Sequence, residues 1–119
     1  MDAAAASRVR QRIWSLRQER DRLEEELLEI RTLLQGSLVA HYSLSGGQRR
    51  RSPAFYVFRR QEGRRRLIYV RKADLERVRR HVDAYRRHRD GLRRLRGMGE
   101  DILEAYKSLQ EVQEEGLPQ

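Results

Sequence analysis

A seam of apolar residues in the first third of the chain constrains the fold more than any other feature. The residues follow steps of four and three, with Arg20 in the single unfilled position: Val9, Ile13, Leu16, Leu23, Leu27, Ile30 and Leu34. This spacing keeps side chains on one face of a helix that packs against another helix. Gly36 follows at a position where a left-handed residue commonly ends a helix. We therefore predict a helix over residues 7–35.

The middle of the chain has the pattern of short strands. Its segments LVAHYSL, AFYVFRR and RRLIYVRK are rich in β-branched and aromatic residues, and QEG between the last two suits a hairpin turn. The stretch SLSGGQRRRSP separates the first two. We expect a two- to three-stranded antiparallel sheet over residues 37–72, with a flexible loop at 43–53.

A second helix is predicted over residues 73–115, on a seam that runs through both of its halves. The seam consists of Leu75, Val78, Val82 and Tyr85, followed by Leu92, Leu95, Ile102, Tyr106 and Leu109. The spacing slips between Tyr85 and Leu92, and Gly91, Gly97 and Gly99 each cost about 1 kcal/mol inside a helix. We therefore expect a break at 88–100, with the tail either folded back or paired with another copy of the chain.

Charge blocks predict how the two helices pair. Residues 1–17 carry a net charge of +3 and residues 18–35 carry −3, while residues 73–96 carry +5 and residues 97–119 carry −5. Antiparallel pairing places each block against its opposite. The predicted fold is α+β and mainly α: a single domain, residues 1–119, formed by a long antiparallel helical hairpin, a coiled-coil stalk, with the small sheet inserted between its helices.

The composition argues against an enzyme. With 119 residues the chain has little room for an enclosed active site, and it lacks cysteine, which excludes disulfides and thiolate metal ligands. His41, His81 and His88 have no thiol or carboxylate at ligand spacing. We expect no enzymatic activity, no metal and no cofactor. We also expect no membrane association, because the apolar runs are too short to span a bilayer. The lack of cysteine favours a cytoplasmic location, at the nucleoid if the protein binds DNA.

The letters LSGGQ, residues 44–48, match the signature of ABC transporter nucleotide-binding domains. ATP chemistry of that kind also needs a phosphate-binding loop that ends in Gly-Lys-Ser/Thr. The chain has two lysines, Lys72 and Lys107, and neither follows a glycine. Pro53 also lies where the motif requires a continuing helix. We interpret LSGGQ as a connection between strands.

The excess positive charge lies in one segment. Residues 43–72 hold ten basic residues and one acidic residue, Glu62, which accounts for the whole net charge of +9. Arginine side chains on a hairpin suit phosphate contacts, and a two-stranded ribbon fits the major groove of DNA. An alternative is a charged edge that only discourages aggregation of the sheet. The candidate nucleic-acid ligands are Arg49, Arg50, Arg51, Arg59, Arg60, Arg64, Arg65, Arg66, Arg71 and Lys72.

Apolar and aromatic residues alternate with these arginines. Strand alternation assigns Phe55, Val57, Ile68 and Val70 to one face of the sheet, and Tyr56, Phe58, Leu67 and Tyr69 to the other. Both sets are apolar enough to be buried. We interpret both faces as core, with base-stacking platforms as the alternative.

Residues 36–95 resemble a family of small bacterial and archaeal proteins found near transposases. The shared pattern falls on Gly36, Ser37, Leu38, Tyr42, Phe55, Tyr56, Gly63, Arg64, Arg66, Tyr69, Val70, Val78, Tyr85 and Arg86. Many such relatives carry cysteines in the loop after the first strand, whereas this chain has none, so a metal role does not transfer. The resemblance implies association with a mobile element and with DNA.

Charge pattern and resemblance together predict a non-enzymatic accessory protein of a mobile element that binds nucleic acid, DNA rather than RNA, through its arginine-rich hairpin. The expected partners are the nucleic acid, a transposase or another mobile-element protein, and a second copy of the chain through the helices. The alternative is a coiled-coil protein-interaction module without a nucleic-acid role.

Overall fold

A computed structural model describes residues 1–45, 47–49 and 52–117. The chain forms two long helices with a small antiparallel sheet between them in sequence, so the predicted mainly α fold class is confirmed. In chain order the elements are α1 (Ala3–Leu28), β1 (Ser37–His41), β2 (Leu44–Ser45), β3 (Gln48–Arg49), β4 (Ala54–Gln61), β5 (Arg64–Val70), a 3-10 turn (Lys72–Asp74) and α2 (Leu75–Gln113).

The chain divides into two compact units. A helical unit comprises Met1–Glu29 and Arg89–Gln119, and a sheet unit comprises Ile30–His88. Helix α2 therefore contributes its first part to the sheet unit and its second part to the helical unit. Neither α1 nor α2, within the described residues, has an apolar stretch of the length needed to cross a bilayer.

Helix α1 begins and ends earlier than the predicted range 7–35. Asp2 caps its start, because the carboxylate accepts hydrogen bonds from the amides of Ala4 and Ala5 at 3.0 and 3.2 Å. The helix ends at Leu28, and Glu29 is extended, with ψ of 128°. The following segment belongs to the sheet unit, where the Leu34 amide donates to the His81 carbonyl at 3.0 Å. Tertiary contacts thus override the last heptad of the seam, and Gly36 does not cap the helix.

Within the helical unit the seam of α1 lies against α2, as predicted. Ile13 and Leu23 are buried, and the remaining seam residues of α1, Val9, Leu16, Arg20 and Leu27, are half-buried. On α2 the buried residues are Gly91, Ile102 and Ala105. The interhelical core therefore consists of few side chains. Ile13, Leu23 and Ile102 belong to the predicted seams. On α2, however, Gly91 and Ala105 are buried in place of their predicted neighbours Leu92 and Tyr106, which are 51% and 47% exposed.

The two helices of this unit run antiparallel. Near the start of α1, Ile13 shares a cleft with Tyr106 and Leu109. Toward its end, Leu27 lies against Gly91. Residue numbers of the contacting positions decrease along α2 as they increase along α1. The antiparallel orientation predicted from the charge blocks is therefore confirmed in the helical unit.

The predicted break at 88–100 is wrong, because α2 is one helix from Leu75 to Gln113. The slip in its seam coincides with a change of partner: up to His88 the helix belongs to the sheet unit and from Arg89 to the helical unit. Gly91 has a packing role, since a Cβ there would lie 2.8 Å from Leu27 Cδ2. The glycine lets the helices approach closely and so offsets its cost to helix propensity.

The sheet has the order β1-β4-β5, with antiparallel pairing throughout. Val57 lies opposite both Leu38 and Ile68, and Gln61 lies opposite Arg64. The two residues between β4 and β5, Glu62 and Gly63, both have positive φ, 53° and 75°. A two-residue turn of this kind matches the twist of the flanking strands and fixes their register.

One face of the sheet, here called the inner face, carries Leu38, Ala40, Phe55, Val57, Ile68 and Val70. Val57 and Val70 are buried on this face, whereas Ile68, which was also predicted to be core, is 44% exposed. Val82 of α2 is 2% exposed, the lowest value among the described hydrophobic residues. The Arg79 guanidinium lies over the Phe55 ring at 5.8 Å. The inner face and the first part of α2 thus form the core of the sheet unit.

Gly36 occupies a position in this unit that only glycine fits. Its φ is 147°, which side chains rarely allow. A Cβ at this position would lie 2.6 Å from Val57 Cγ1 and 2.9 Å from the Phe58 carbonyl oxygen. The glycine is therefore required where the chain enters β1 and passes close to β4.

We expect Gly36→Ala to lower the free energy of unfolding by about 1–3 kcal/mol, through backbone strain and overlap with β4. The matched control is Gly97→Ala in α2, where a Cβ meets no atom within 4 Å. That change should raise stability by up to about 1 kcal/mol, because alanine favours helix. Urea unfolding of both variants checks the pair, and equal stability of the two would contradict the assigned role of Gly36.

Candidate nucleic-acid interface

The β4–β5 hairpin brings five predicted site residues together at its turn. In the strand register Arg59 lies opposite Arg66 and Arg60 opposite Arg65, while Arg64 lies opposite Gln61. We call Arg59, Arg60, Arg64, Arg65 and Arg66 the arginine ladder. Its members are exposed except for Arg59, which is half-buried. Because the turn has only two residues, the arginines that are close in sequence also lie close together in space.

This arrangement opposes the stability of the hairpin. Residues directly opposite in antiparallel strands have Cβ atoms about 4.5–5.5 Å apart, and like charges at that distance repel. Two such pairs stand side by side, Arg59 with Arg66 and Arg60 with Arg65. The ladder therefore creates an unfavourable concentration of positive charge that a bound anion would relieve.

Some contacts hold the ladder side chains in place. Arg66 donates a hydrogen bond from Nη1 to Gln61 Oε1 at 2.9 Å. The Arg65 guanidinium lies 5.7 Å from the centre of the Phe58 ring, within the range of a cation–π contact. Neither contact neutralises the positive charge of the guanidinium group. The two side chains are therefore held in a defined orientation and can still pair with an anion.

Arg71 and Lys72 do not join the ladder, because they follow β5 at the end away from the turn. Arg71 Nε lies 3.2 Å from Asp74 Oδ2, and Arg77 Nη2 lies 3.2 Å from Asp74 Oδ1. Asp74 immediately precedes α2, where a negative charge stabilises the helix start. These pairs give Arg71 a local structural role, while Lys72 is an exposed member of the 3-10 turn.

The remaining predicted ligands lie in or beside the segment 43–53. Arg49 is the second residue of β3, opposite Leu44, whereas Arg50 and Arg51 lie outside the described residues. The predicted flexible loop thus contains a short hairpin, in which β2 pairs with β3 and Gly47 has φ of 80°. Leu44–Ser45 and Gln48–Arg49 are strands, so the LSGGQ letters lack the helix that the ABC signature requires.

The second face of the sheet, here called the outer face, was wrongly interpreted as core. It carries Val39, His41, Tyr56, Phe58, Leu67 and Tyr69, with Arg60 and Arg65 at its turn end. Leu67 and Tyr69 are 64% and 60% exposed, and Val39 is 41% exposed. The alternation of the strands correctly separated the two faces, but it gave no signal that α2 packs against only one of them.

The aromatic rings of the outer face contact each other across the strands. Tyr56 and Tyr69 lie directly opposite, with ring centres 5.7 Å apart and the planes inclined at 67°. His41 lies beside Tyr56 at 6.5 Å, also edge to face. These contacts link the rings into a row on the outer face, next to the ladder.

Within the part of the chain that the structure describes, no group of three or more His, Asp or Glu side chains is arranged to hold a metal ion. His41 lies on β1, while His81 and His88 lie on α2.

The candidate site consists of the ladder and the adjoining outer face. These two features bring five of the predicted ligands next to exposed ring and aliphatic side chains.

Comparison with known proteins gives no relative: no family model, curated protein or solved structure matches this chain. The resemblance to transposase-associated proteins stays a prediction.

We expect Arg60→Glu to raise the free energy of unfolding at low salt by about 0.2–1 kcal/mol, because it turns a repulsive cross-strand pair with Arg65 into an attractive one. Arg60→Gln, which removes charge without reversing it, should have an intermediate effect. The differences should shrink as salt screens the charges. Thermal or urea unfolding at low and high salt measures them. A Glu variant no more stable than the original protein at low salt would show that the ladder is not strained by repulsion.

Proposed function

We propose that this protein binds nucleic acid, DNA in the first instance, through phosphate contacts of the arginine ladder. The observation that carries the proposal is the pairing of Arg59 with Arg66 and of Arg60 with Arg65 across two adjacent strands. Like charges at these positions do not stabilise a sheet. Binding of an anionic partner would explain why arginines occupy them.

The character of the ladder favours a polyanion over a single small anion. Strand alternation sends Arg60 and Arg65 to the outer face, and Arg59, Arg64 and Arg66 to the opposite side of the hairpin. The cations therefore spread over both sides of the turn. Guanidinium groups donate paired hydrogen bonds to phosphate oxygens, which suits contacts to successive phosphates along a chain.

The biological setting comes from the resemblance over residues 36–95. In this proposal the protein is a cytoplasmic, non-enzymatic accessory factor of a mobile element, and its protein partner is a transposase or another product of that element. The arginine ladder would bring this factor to DNA, while the helical unit offers a surface to the protein partner or to a second copy.

A protein-interaction module is the second candidate, and one observation favours it. In the helical unit a cleft of about 860 Å³ is lined by Trp14 and Tyr106, which are 60% and 47% exposed. Large aromatic side chains of this kind commonly anchor protein partners. Under this alternative, Trp14→Ala abolishes capture of the partner and loss of the ladder does not.

The test of the proposal is the salt dependence of DNA binding. Each phosphate neutralised contributes a slope of about −0.7 to −0.9 in log K against log[salt]. Replacing Arg60, Arg64 and Arg65 together with Gln should therefore make the slope shallower by about 2 to 3 and weaken binding at every salt concentration. Fluorescence anisotropy with a labelled DNA fragment measures both quantities.

The matched control replaces Arg8, Arg10 and Arg12 of α1 with Gln, which removes the same charge from three exposed positions of the helical unit. This control should keep most of the affinity and the slope. Equal losses of affinity in the two triple variants would show that the ladder contributes to binding only through its share of the net charge. Affinity that does not change between about 50 and 300 mM salt would sink the proposal altogether.

A further inference from the structure

The exposed outer face assigns a narrower ligand class to the same site. We infer that the protein binds single-stranded DNA, with bases stacked on the outer-face aromatic residues and phosphates held by the arginine ladder. This inference rests on the proposed nucleic-acid function, and it adds that the strand is unpaired.

The outer face presents ring and aliphatic surface beside positive charge. Tyr69 and Leu67 are more than half exposed, Tyr56 and Phe58 are half-buried, and Arg60 and Arg65 complete the same face at its turn end. Aromatic rings next to basic side chains suit a partner that has both flat apolar faces and a negative backbone. Nucleic-acid bases and phosphates have this combination, and base–aromatic stacking is a strong, sequence-tolerant contact.

The bases of a strand are accessible to these rings only when the strand is unpaired. In a duplex the flat faces of the bases are stacked on one another, so an aromatic side chain reaches them where the strand is open. Rings that follow one another on the same face of β4, such as Tyr56 and Phe58, are two residues apart, which corresponds to about 6.6 Å. This is about twice the 3.4 Å repeat of a stacked strand, so successive bases stack on successive rings when the strand opens its own stack.

The distance from the tyrosine pair to the ladder matches a short segment of one strand. Tyr56 and Arg60 lie four residues apart on β4, which corresponds to about 13 Å. A strand of at most about four nucleotides covers that distance at 3.4 Å per nucleotide. One short segment therefore reaches from the tyrosine pair to the ladder, and both halves of the site act on the same strand.

The choice of DNA over RNA comes from the aliphatic residues of this face. Leu67 and Val39 are exposed beside the rings, at 64% and 41%. Thymine offers a methyl group for apolar contact. Uracil lacks that methyl group, so the face suits a thymine-containing strand.

The experiment measures binding of the full-length protein to oligothymidylate of about a dozen nucleotides and to a duplex of the same length. The variant is Tyr69→Thr, because threonine removes the ring, keeps a β-branched residue in the strand and replaces an exposed side chain. We expect it to weaken binding of oligothymidylate by about five- to a hundredfold and to leave duplex binding within about twofold. Tyr69→Phe, which keeps the ring, should retain the original affinity.

Tyr106→Thr is the matched control, since Tyr106 is an exposed tyrosine of the helical unit. It should leave oligothymidylate binding unchanged. Circular dichroism of each variant verifies that the fold is retained, and any variant that unfolds is replaced by Leu67→Thr on the same face, for which we expect weaker oligothymidylate binding.

The outcomes separate this inference from the proposed function. If the original protein binds neither polymer, the proposed function fails and the inference fails with it. If it binds both and Tyr69→Thr changes neither affinity, the ladder keeps its role and the inference is overturned. Binding of oligouridylate as tight as that of oligothymidylate overturns the assignment to DNA. A dimer that Tyr69→Thr dissociates, with unchanged oligothymidylate affinity, assigns the face to a second copy and also overturns it.

Discussion

The contact between the inner face of the sheet and the first part of α2 is the constraint on which the rest of the site depends. Val57 and Val70 of the sheet line one cleft together with Val78 of α2, and Phe55 lines another together with Val82. Helix α2 thus packs against the inner face, while Tyr69 and Leu67 of the outer face stay exposed. The same contact fixes which side of β4 and β5 is free to bind.

The register of the strands links the packing of the core to the positions of residues at the hairpin turn. Once Phe55 lies opposite Val70, every later pair follows, up to Gln61 opposite Arg64. The positive φ values at Glu62 and Gly63 accommodate the two-residue turn that this register requires. A shift of β4 by one residue would transfer Arg60 to the inner side and bring Tyr56 to the helix. Packing of the valines therefore also determines where the positive charge is presented.

The site combines two features that are each costly for a folded chain. Opposed arginines repel, and exposed aromatic residues keep apolar surface in water. Both features occur on the same hairpin, next to each other, and a single-stranded polynucleotide would relieve both at once. The coincidence of the two costs favours this ligand over an acidic protein, which needs no row of rings, and over a small anion, which needs no extended face.

Much of the local structure could be predicted from the sequence. Periods of four and three identified the helices, aromatic and β-branched segments identified the strands, and opposite charge blocks indicated the antiparallel helix pair that the helical unit contains. The ladder residues could also be named in advance, because five arginines flank a short turn. These features depend on near neighbours along the chain or on the sum of charges, which sequence reports directly.

Contacts between distant segments decided the rest. The end of α1 at Leu28, the continuity of α2 through Gly91 and the place of Gly36 beside β4 all result from packing against partners far away in sequence. The exposure of Tyr69 and Leu67 has the same origin. The alternation of side chains along each strand determined which residues share a face of the sheet, since successive residues of a strand point to opposite sides. Only the tertiary structure decided which face is buried, because that depends on where one helix packs, and both faces are equally apolar.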